Sequence, residues 1–400
     1  MTQTKQKNNV NSKGKSKKHI SRKDITSNRT QKKVSNFVNN PMDFILLISV
    51  LLLLALGIIM VLSASSPSAL SRTGSSYTYL IKQAQFAVVG IIAMVIISKI
   101  DYRFYKRFGK LTYIVSIGLL ILVLLVGYTI NNAKRWINIG ITGFQPSELV
   151  KILLIISYAA YLSEDREKVK GFFGGFVKGM IGVGVLVVLL LLEPHMSASV
   201  LLIMICSIMM IVAGGKIKHF ILTGLTVGIP AIAGMIIVAP YRLKRVTTFI
   251  NPWLDPKGDG WQVIQSLYAI GSGGLFGVGL GRSKQKYLYI SEPHNDFIFA
   301  VLAEELGFVG MAVVIILFGI LVWRGIVISM KAPDMFGSLL AIGITSLIGV
   351  QALINIAVVT SSMPVTGMPL PFFSYGGTSL MILLASVGIL LNISRSGSKI

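Results

Sequence analysis

The sequence predicts an all-α polytopic membrane protein with ten transmembrane helices and a large extracellular loop between the seventh and eighth helices. Of the 400 residues, 53% are hydrophobic and only 13% are charged, a balance that a bilayer core requires and a water-soluble core does not. One long polar segment, residues 240–295, interrupts the apolar stretches and is predicted to be this loop. Loops of this length are uncommon unless they are functional.

Ten apolar stretches have the length of about 17–25 residues that a helix needs to cross a bilayer. They lie near residues 43–63, 80–99, 111–130, 148–163, 172–192, 196–214, 219–239, 296–323, 336–358 and 376–393. We find no internal repeats of 20–50 residues and no heptads. Residues 41–395 are therefore predicted to form one membrane domain, followed by a short cytoplasmic tail at 396–400.

The N-terminal segment, residues 1–40, is basic and poor in apolar residues. Eleven of the 38 Lys and Arg residues precede residue 34, where Asp24 is the sole acid. This composition predicts a disordered tail that contacts anionic membrane lipid. No aromatic residues are interleaved with the bases to stack on nucleobases, which argues against nucleic acid as a partner.

The distribution of bases orients the helices. With the N-terminal tail in the cytoplasm, the even-numbered connections are internal, and these hold most of the bases in the short connections, as the positive-inside rule requires. Both termini are then cytoplasmic, and the 240–295 loop is extracellular. A cluster of bases beside an outer leaflet predicts an anionic ligand, and the loop contains Arg242, Lys244, Arg245, Lys257, Arg282, Lys284 and Lys286.

Asp296 is the first residue of the eighth predicted span. A carboxylate at the water interface beside an apolar wall can have a raised pKa and serve as a general base. The structural alternative is that Asp296 caps the N-terminus of the helix, although no Glu or Gln stands at position 299 to complete a capping box. Both interpretations stay open on the residues alone.

A second polar group lies between the third and fourth spans, in KRWINIGITGFQPSELVK. Lys134 and Arg135 fall on the external side, and Glu148 and Lys151, three residues apart, share one face of the fourth helix. One interpretation is a structural ion pair between Glu148 and Lys151. The other is a site for a polar headgroup, with Arg135 facing the ligand.

Two irregular segments complete the predicted site. The glycine-rich turn GSGGLFGVGLG, at 271–281, follows a predicted amphipathic helix at Trp261–Ile270, and it is no nucleotide site because no strand precedes it and no Lys-Ser or Lys-Thr pair completes it. After the ninth span, three prolines forbid a regular helix and predict a re-entrant loop that walls the same cavity as Asp296. We predict no dedicated metal site, since His195 and His294 are far apart in sequence.

In order, these segments resemble the signatures of the FtsW, RodA and SpoVE family of shape, elongation, division and sporulation proteins. The resemblance covers residues 43–395 and is strongest for the FtsW and SpoVE branch. It rests on KRWINIG…FQPSEL, YRLKR…NPW, GWQVIQSLYAIGSGGLFGVGLGRSKQK, SEPHNDFIFAVLAEELGFVG and PVTGMPLPFFSYGGTSL. One departure is Glu193-Pro194-His195, where many relatives have Gln-Pro-Asp, so no role is transferred to that turn.

The resemblance implies a peptidoglycan glycosyltransferase that polymerises lipid II at the outer face of the bacterial cytoplasmic membrane. It also implies a class B penicillin-binding transpeptidase and other division or elongation proteins as partners. A divalent cation, Mg²⁺ or Mn²⁺, would assist, and no organic cofactor is expected. By motif, Asp296 matches the catalytic aspartate. The implied substrate-binding positions are Lys134, Arg135, Glu148, Lys151, Arg242, Lys244 and Arg245.

Two other classes of function remain as alternatives. A transporter of a lipid-linked precursor would use Glu304, Glu305 and Lys151 as interior polar sites, but it would usually show internal symmetry, which this sequence lacks. A noncatalytic scaffold would recruit the transpeptidase, and Asp296 would then be dispensable. The motifs do not distinguish a role in division from one in elongation or sporulation.

Overall fold

The computed structural model describes residues 42–130, 133–138, 143–230, 240–258, 260–287 and 289–397, and also residues 2 and 234. The predicted basic tail therefore lies outside the described residues, apart from residue 2. Residues 398–400 of the predicted C-terminal tail also lie outside them.

Fourteen α-helices, numbered in chain order, make up most of the described chain. They are α1 (Phe44–Thr73), α2 (Thr78–Ile97), α3 (Arg103–Arg107), α4 (Gly109–Val126), α5 (Pro146–Glu164), α6 (Arg166–Val169), α7 (Lys178–Leu192), α8 (Met196–Val212), α9 (Ile217–Thr223), α10 (Pro240–Ile250), α11 (Trp261–Gly273), α12 (Ile298–Lys331), α13 (Met335–Val359) and α14 (Thr378–Ser396). Short π-helical segments at Phe172–Val177 and Gly224–Gly228 precede α7 and follow α9, and a 3₁₀ turn at Pro252–Leu254 follows α10. The predicted amphipathic helix at Trp261–Ile270 is confirmed as α11.

Eight helices of the described chain are long and apolar enough to cross a membrane: α1, α2, α4, α5, α7 with its π-helical start, α12, α13 and α14. The apolar helix α8, with 17 residues, is slightly shorter. Hydrocarbon offers no partners to backbone N–H and C=O groups, so a spanning segment satisfies them within its own helix. The chain is an all-α polytopic membrane protein, as predicted.

Helices α5 and α13 form the centre of the bundle. Buried residues make up 13 of the 19 residues of α5 and 18 of the 25 residues of α13. By contrast, α2 and α4 bury only four residues each, so most of their apolar surface is left for lipid. Because α13 packs against α5, α8 and α12, it is the element through which distant parts of the chain are held together.

A small antiparallel sheet after α4 was not predicted from the sequence. Its strands are β1 (Tyr128–Ile130), β2 (Ala133–Asn138) and β3 (Gly143–Phe144), in the order β1-β2-β3. Gly143 in β3 lies against the ring of Trp136, where an added Cβ atom would come within 3.1 Å of the ring. The sheet thus forms the connection between the third and fourth spans.

The predicted eighth span is one helix interrupted at Gly307, whose φ of 64° and ψ of −163° are not helical. A break frees backbone groups that would otherwise pair along the helix. The glycine-rich turn supplies partners at 2.9–3.1 Å: Val278 N–H donates to Glu304 O, Gly279 N–H to Glu305 O, Phe308 N–H to Gly274 O, and Val309 N–H to Leu275 O. The turn is therefore a backbone partner of α12.

Two buried carboxylates hold the chain that follows this turn. Glu304 accepts hydrogen bonds from the Ser283 hydroxyl and from the backbone N–H groups of residues 284 and 285. Glu305 accepts from Ser63 on α1 and forms a buried ion pair with Lys286, with Nζ and Oε1 2.9 Å apart. The first part of α12 is thereby joined to the polar loop and to α1.

Replacing Gly307 with Ala is expected to lower the thermal stability of the purified protein. An Ala at this φ is strained, and its Cβ atom would lie 2.3 Å from the backbone N of Gly277. We expect a loss of about 2 kcal/mol or more, which a lower midpoint in a thermal unfolding assay in detergent would reveal.

The matched control is Gly319→Ala in the same helix, where an added Cβ atom meets no atom within 4 Å. It should leave the midpoint unchanged or raise it slightly, because Ala favours helix more than Gly. Equal midpoints for the two variants would contradict the interlocked break.

Candidate active site

Asp296 lies in the turn that precedes α12. The helix begins at Ile298, and its N-cap position is Phe297, which has no side-chain capping bond, so the Asp296 carboxylate does not cap the helix. Its backbone carbonyl accepts a hydrogen bond from Asn355 Nδ2 on α13 at 2.8 Å. The structural alternative for Asp296 is thus not observed, and its carboxylate lies beside open space.

Two cavities meet at this position. Cavity A has a volume of about 610 Å³ and cavity B a volume of about 500 Å³, and both are lined by Glu292, Asn295 and Asp296. Cavity A is also lined by three cationic side chains and four aromatic rings, namely Lys82, Arg135, Lys151, Phe86, Tyr128, Trp136 and Tyr375. Cavity B is also lined by Arg72, Lys286, Gln262 and His294. Two carboxylates, those of Glu292 and Asp296, therefore lie at the junction of two cation-lined spaces.

The proline-rich segment after α13 forms part of this junction. Gly367, Met368 and Pro369 line cavity A, so the loop walls the same cavity as Asp296, as the sequence predicted. Gly367 has a φ of +69°, and an added Cβ atom there would lie 3.3 Å from Asp296 Oδ2. The loop backbone thus lies close against the carboxylate.

Strand β2 separates the two neighbouring bases Lys134 and Arg135, because successive side chains of a strand point to opposite faces. Arg135 lines cavity A, where its Nε donates to Glu193 O at 3.2 Å and its Nη2 donates to Pro194 O. Lys134 Nζ donates instead to two backbone carbonyls at the C-terminal end of α4, at 2.6 and 3.1 Å. These carbonyls have no partner within the helix, because the helix ends there. Lys134 lines neither cavity A nor cavity B.

Glu148 and Lys151 form an ion pair at the wall of cavity A. Lys151 Nζ lies 2.8 Å from Glu148 Oε2, and the two side chains are 5% and 13% exposed. The same Nζ donates to Gln351 Oε1 at 3.3 Å. The structural ion pair is thus observed, and the headgroup site stays a prediction that the position of the pair at the cavity wall permits.

The three predicted bases of α10 are placed differently from one another. Arg245 Nη1 donates to Val365 O at 3.1 Å, and Val365 lines cavity B. Lys244 is exposed and lines neither cavity. The side chain of Arg242 lies outside the described part of the structure.

The surroundings of Asp296 favour its protonated form. Burial, as the larger cause, and the Glu292 carboxylate raise the pKa of its carboxyl from the ordinary value of 3.8 to about 6, against the opposing effect of Arg135. Glu292 is itself held by Asn295 Nδ2 at 2.8 Å. A carboxylate with a pKa near 6 is still ionised at pH 7 and is a stronger base than an ordinary aspartate.

Several residues of the site were not predicted. Lys82 is an isolated base within an apolar span, and that pattern by itself marks a functional position. Glu193 lines neither cavity, but its backbone carbonyl accepts from Arg135, and burial raises the pKa of its carboxyl to about 8 against the opposing effect of Arg135. Tyr375, Glu292 and Arg72 have no comparable local signal, because only packing brings them to the cavities.

Comparison with known proteins agrees with the predicted resemblance. The family model of FtsW, RodA and SpoVE, described as cell cycle protein, matches residues 44–399. Stage V sporulation protein E of Bacillus subtilis (strain 168) is 45% identical over 355 residues, which cover 88% of this chain and 97% of that protein. The probable peptidoglycan glycosyltransferase FtsW of Trichlorobacter lovleyi is 43% identical over 354 residues, which cover 88% of this chain and 93% of that protein.

Solved structures show the same relationship. A chain from a peptidoglycan synthase complex, described by its coordination of polymerization and crosslinking, superposes with a TM-score of 0.74 at 30% identity and covers 88% of this chain and 98% of that chain. The rod shape determining protein RodA of Thermus thermophilus superposes with a TM-score of 0.66 at 28% identity, covering 90% and 98%. The chain described here belongs to the FtsW, RodA and SpoVE family.

Proposed function

We infer that this chain is a peptidoglycan glycosyltransferase that serves cell-wall synthesis in division or sporulation. Its curated relatives are named as probable peptidoglycan glycosyltransferases and as a stage V sporulation protein. One observation supports this activity on the chain itself. Asp296, a carboxylate with a raised pKa, lines both cavities, so a base lies where two substrates can meet.

Lipid II is the substrate that suits the two cavities. Each molecule presents a diphosphate and a disaccharide. Cationic side chains bind the diphosphate, and aromatic rings pack against the sugars. Lys82 and Arg135 in cavity A would hold the diphosphate of the donor chain, and Trp136 there would face its sugar. Arg72 in cavity B would hold the diphosphate of the acceptor.

Transfer of the glycosyl group then takes place beside Asp296. Its carboxylate removes the proton from the acceptor 4-hydroxyl as that oxygen attacks the anomeric carbon of the donor, with inversion. The bond from this carbon to the diphosphate oxygen breaks, and undecaprenyl diphosphate leaves with the electron pair. The cations of cavity A stabilise the charge that develops on the leaving group.

The residues at the junction also suit a divalent cation. Mg²⁺ and Mn²⁺ prefer carboxylate and carbonyl oxygens. Glu292 and Asp296 offer carboxylates, and Asn295 Oδ1 is buried without a hydrogen-bond partner among the described residues. These three residues would hold Mg²⁺ or Mn²⁺, which would supply positive charge beside the diphosphate.

We propose the ten-span arrangement in the bacterial cytoplasmic membrane, with both termini cytoplasmic and the cavities at the outer face. The eight long helices and α8 supply nine spans, and the tenth would begin with α9 and continue into residues 231–239, most of which lie outside the described residues. A related synthase complex combines polymerization with crosslinking. A class B penicillin-binding transpeptidase is therefore the proposed partner, together with other division proteins.

The transporter alternative finds no support in the interior carboxylates. Glu304 and Glu305 accept their hydrogen bonds from Ser63 and from residues 283–286 of the same chain. Carboxylates occupied in this way hold structure together and do not line a transport path.

Asp296→Asn is expected to lower glycan-strand synthesis from lipid II by about 10²- to 10⁴-fold, because the amide cannot accept the proton. In the parent enzyme, kcat/KM should fall as the pH drops through about 6, where Asp296 of the free enzyme becomes protonated. Gel analysis of glycan chains made by the purified protein with its transpeptidase partner measures both effects.

Asp255→Asn, an exposed aspartate of the same polar segment, is the matched control and should retain the parent rate. A parent-like rate for Asp296→Asn would show that this residue is not the base.

The same Asp296→Asn variant should be more stable than the parent at pH 8. The folded-state pKa of Asp296 is raised from 3.8 to about 6, so its contribution to stability is present below pH 3.8 and is lost as the pH rises through about 6. A neutral amide avoids this loss, which is on the order of 3 kcal/mol for about two pKa units. Thermal midpoints at pH 8 and pH 4 test the prediction, since the gap should close at the lower pH.

Arg135→Gln and Lys134→Gln separate binding from helix capping. Arg135 lines cavity A, so its loss should lower kcat/KM for lipid II by about tenfold or more, as expected for a charge-assisted hydrogen bond. Among the described residues, Lys134 Nζ donates only to carbonyls at the end of α4, and its variant should lose stability while keeping kcat/KM close to that of the parent. Equal losses of kcat/KM in the two variants would contradict the assignment of Arg135.

A further inference from the structure

Two amide side chains on one face of α13 are buried close to the site. Gln351 and Asn355 are four residues apart, so they lie on the same face of the helix, and they are 5% and 1% exposed. Neither residue lines cavity A or cavity B. A polar side chain at membrane depth is costly unless it is hydrogen-bonded, so their partners indicate why they are there.

Asn355 joins two segments of the site. Its Nδ2 donates to Asp296 O at 2.8 Å and to Met368 O at 2.6 Å. The first carbonyl belongs to the residue with the proposed base, and the second belongs to the loop that walls cavity A. One amide group thereby sets the separation between the backbone of Asp296 and this loop.

Gln351 holds the next residue of the loop and connects it to the ion pair on α5. Its Nε2 donates to Pro369 O at 3.0 Å, and its Oε1 accepts from Lys151 Nζ at 3.3 Å. Because a Lys ammonium only donates, it keeps the amide oxygen on its own side and turns the NH₂ group toward Pro369. Lys151 is fixed in turn by Glu148 at 2.8 Å.

The position of the loop matters to the carboxylate itself. Gly367 precedes the two tethered carbonyls, and an added Cβ atom on it would lie 3.3 Å from Asp296 Oδ2. A shift of the loop would therefore change both the direction of the carboxylate and the access of water to it.

We propose that Gln351 and Asn355 are positioning residues for glycosyl transfer, and that the Glu148–Lys151 pair acts on Asp296 through Gln351. The inference rests on the proposed role of Asp296 as the base. Both amides hold Asp296 and the loop at 367–369 in one arrangement, without touching the substrate.

Two nearly isosteric variants and one control test this. Asn355→Leu removes the donor to both carbonyls. Gln351→Glu keeps the size of the side chain and the acceptor for Lys151, but loses the donor to Pro369. Thr345→Val is the control, because Thr345 is 1% exposed on the same helix and its hydroxyl donates only to Ala341 O among the described residues.

We expect kcat for lipid II polymerisation to fall by about 10²-fold in both variants, the cost of about 1 Å of misplacement, while KM changes by less than about twofold. Thr345→Val should keep the parent kcat and KM. A merely structural role would lower thermal midpoints and leave the kcat of the folded protein at the parent value.

Parent-like kcat in both variants, with Asp296→Asn inactive, would overturn this inference and leave the proposed function standing. An equal loss of kcat in Thr345→Val would overturn it as well. An active Asp296→Asn variant would instead overturn the proposed function. Should Asn355→Leu fail to fold, Gln351→Glu decides, since it preserves shape and the bond to Lys151.

Discussion

A membrane helix can be interrupted beside an active site only where the protein itself pairs the freed backbone groups, because hydrocarbon cannot. Helix α12 meets this condition at Gly307, where the glycine-rich turn pairs four of those groups. The turn lies close enough to do so because its glycines have no side chains at the contact. These hydrogen bonds therefore fix the short first part of α12 at the edge of the bundle. Asp296 lies directly before this part of the helix.

The site places a carboxylate where its charge is unfavourable. Burial and Glu292 both raise the pKa of Asp296, and Arg135 compensates only in part. The carboxylate keeps this position because Asn355 on α13 holds the backbone of Asp296 and that of the proline-rich loop. The same surroundings that make Asp296 a stronger base thus reduce the stability of the folded protein, a compromise that is common at active sites.

Much of the fold could be predicted because the length of an apolar run is a local property. The sequence placed the fifth span at 172–192, where the structure has the π-helical segment and α7, and the fourth at 148–163, where it has α5. Strands β1 to β3, of three, six and two residues, were missed because such short strands have little local preference and are stabilised by their partners. The break at Gly307 was missed for a similar reason, since its geometry depends on Gly277 about thirty residues earlier.

By itself, the sequence determined that this chain spans a membrane, which family it resembles, and that Asp296 matches the catalytic aspartate of that family. Only the tertiary structure decided that Arg135 faces cavity A while its neighbour Lys134 caps α4. Only the tertiary structure brought Asn355 and Gly367 to Asp296. The physical reason is that hydrophobic length is encoded in consecutive residues, whereas a cavity is the space left between helices that are far apart in the chain.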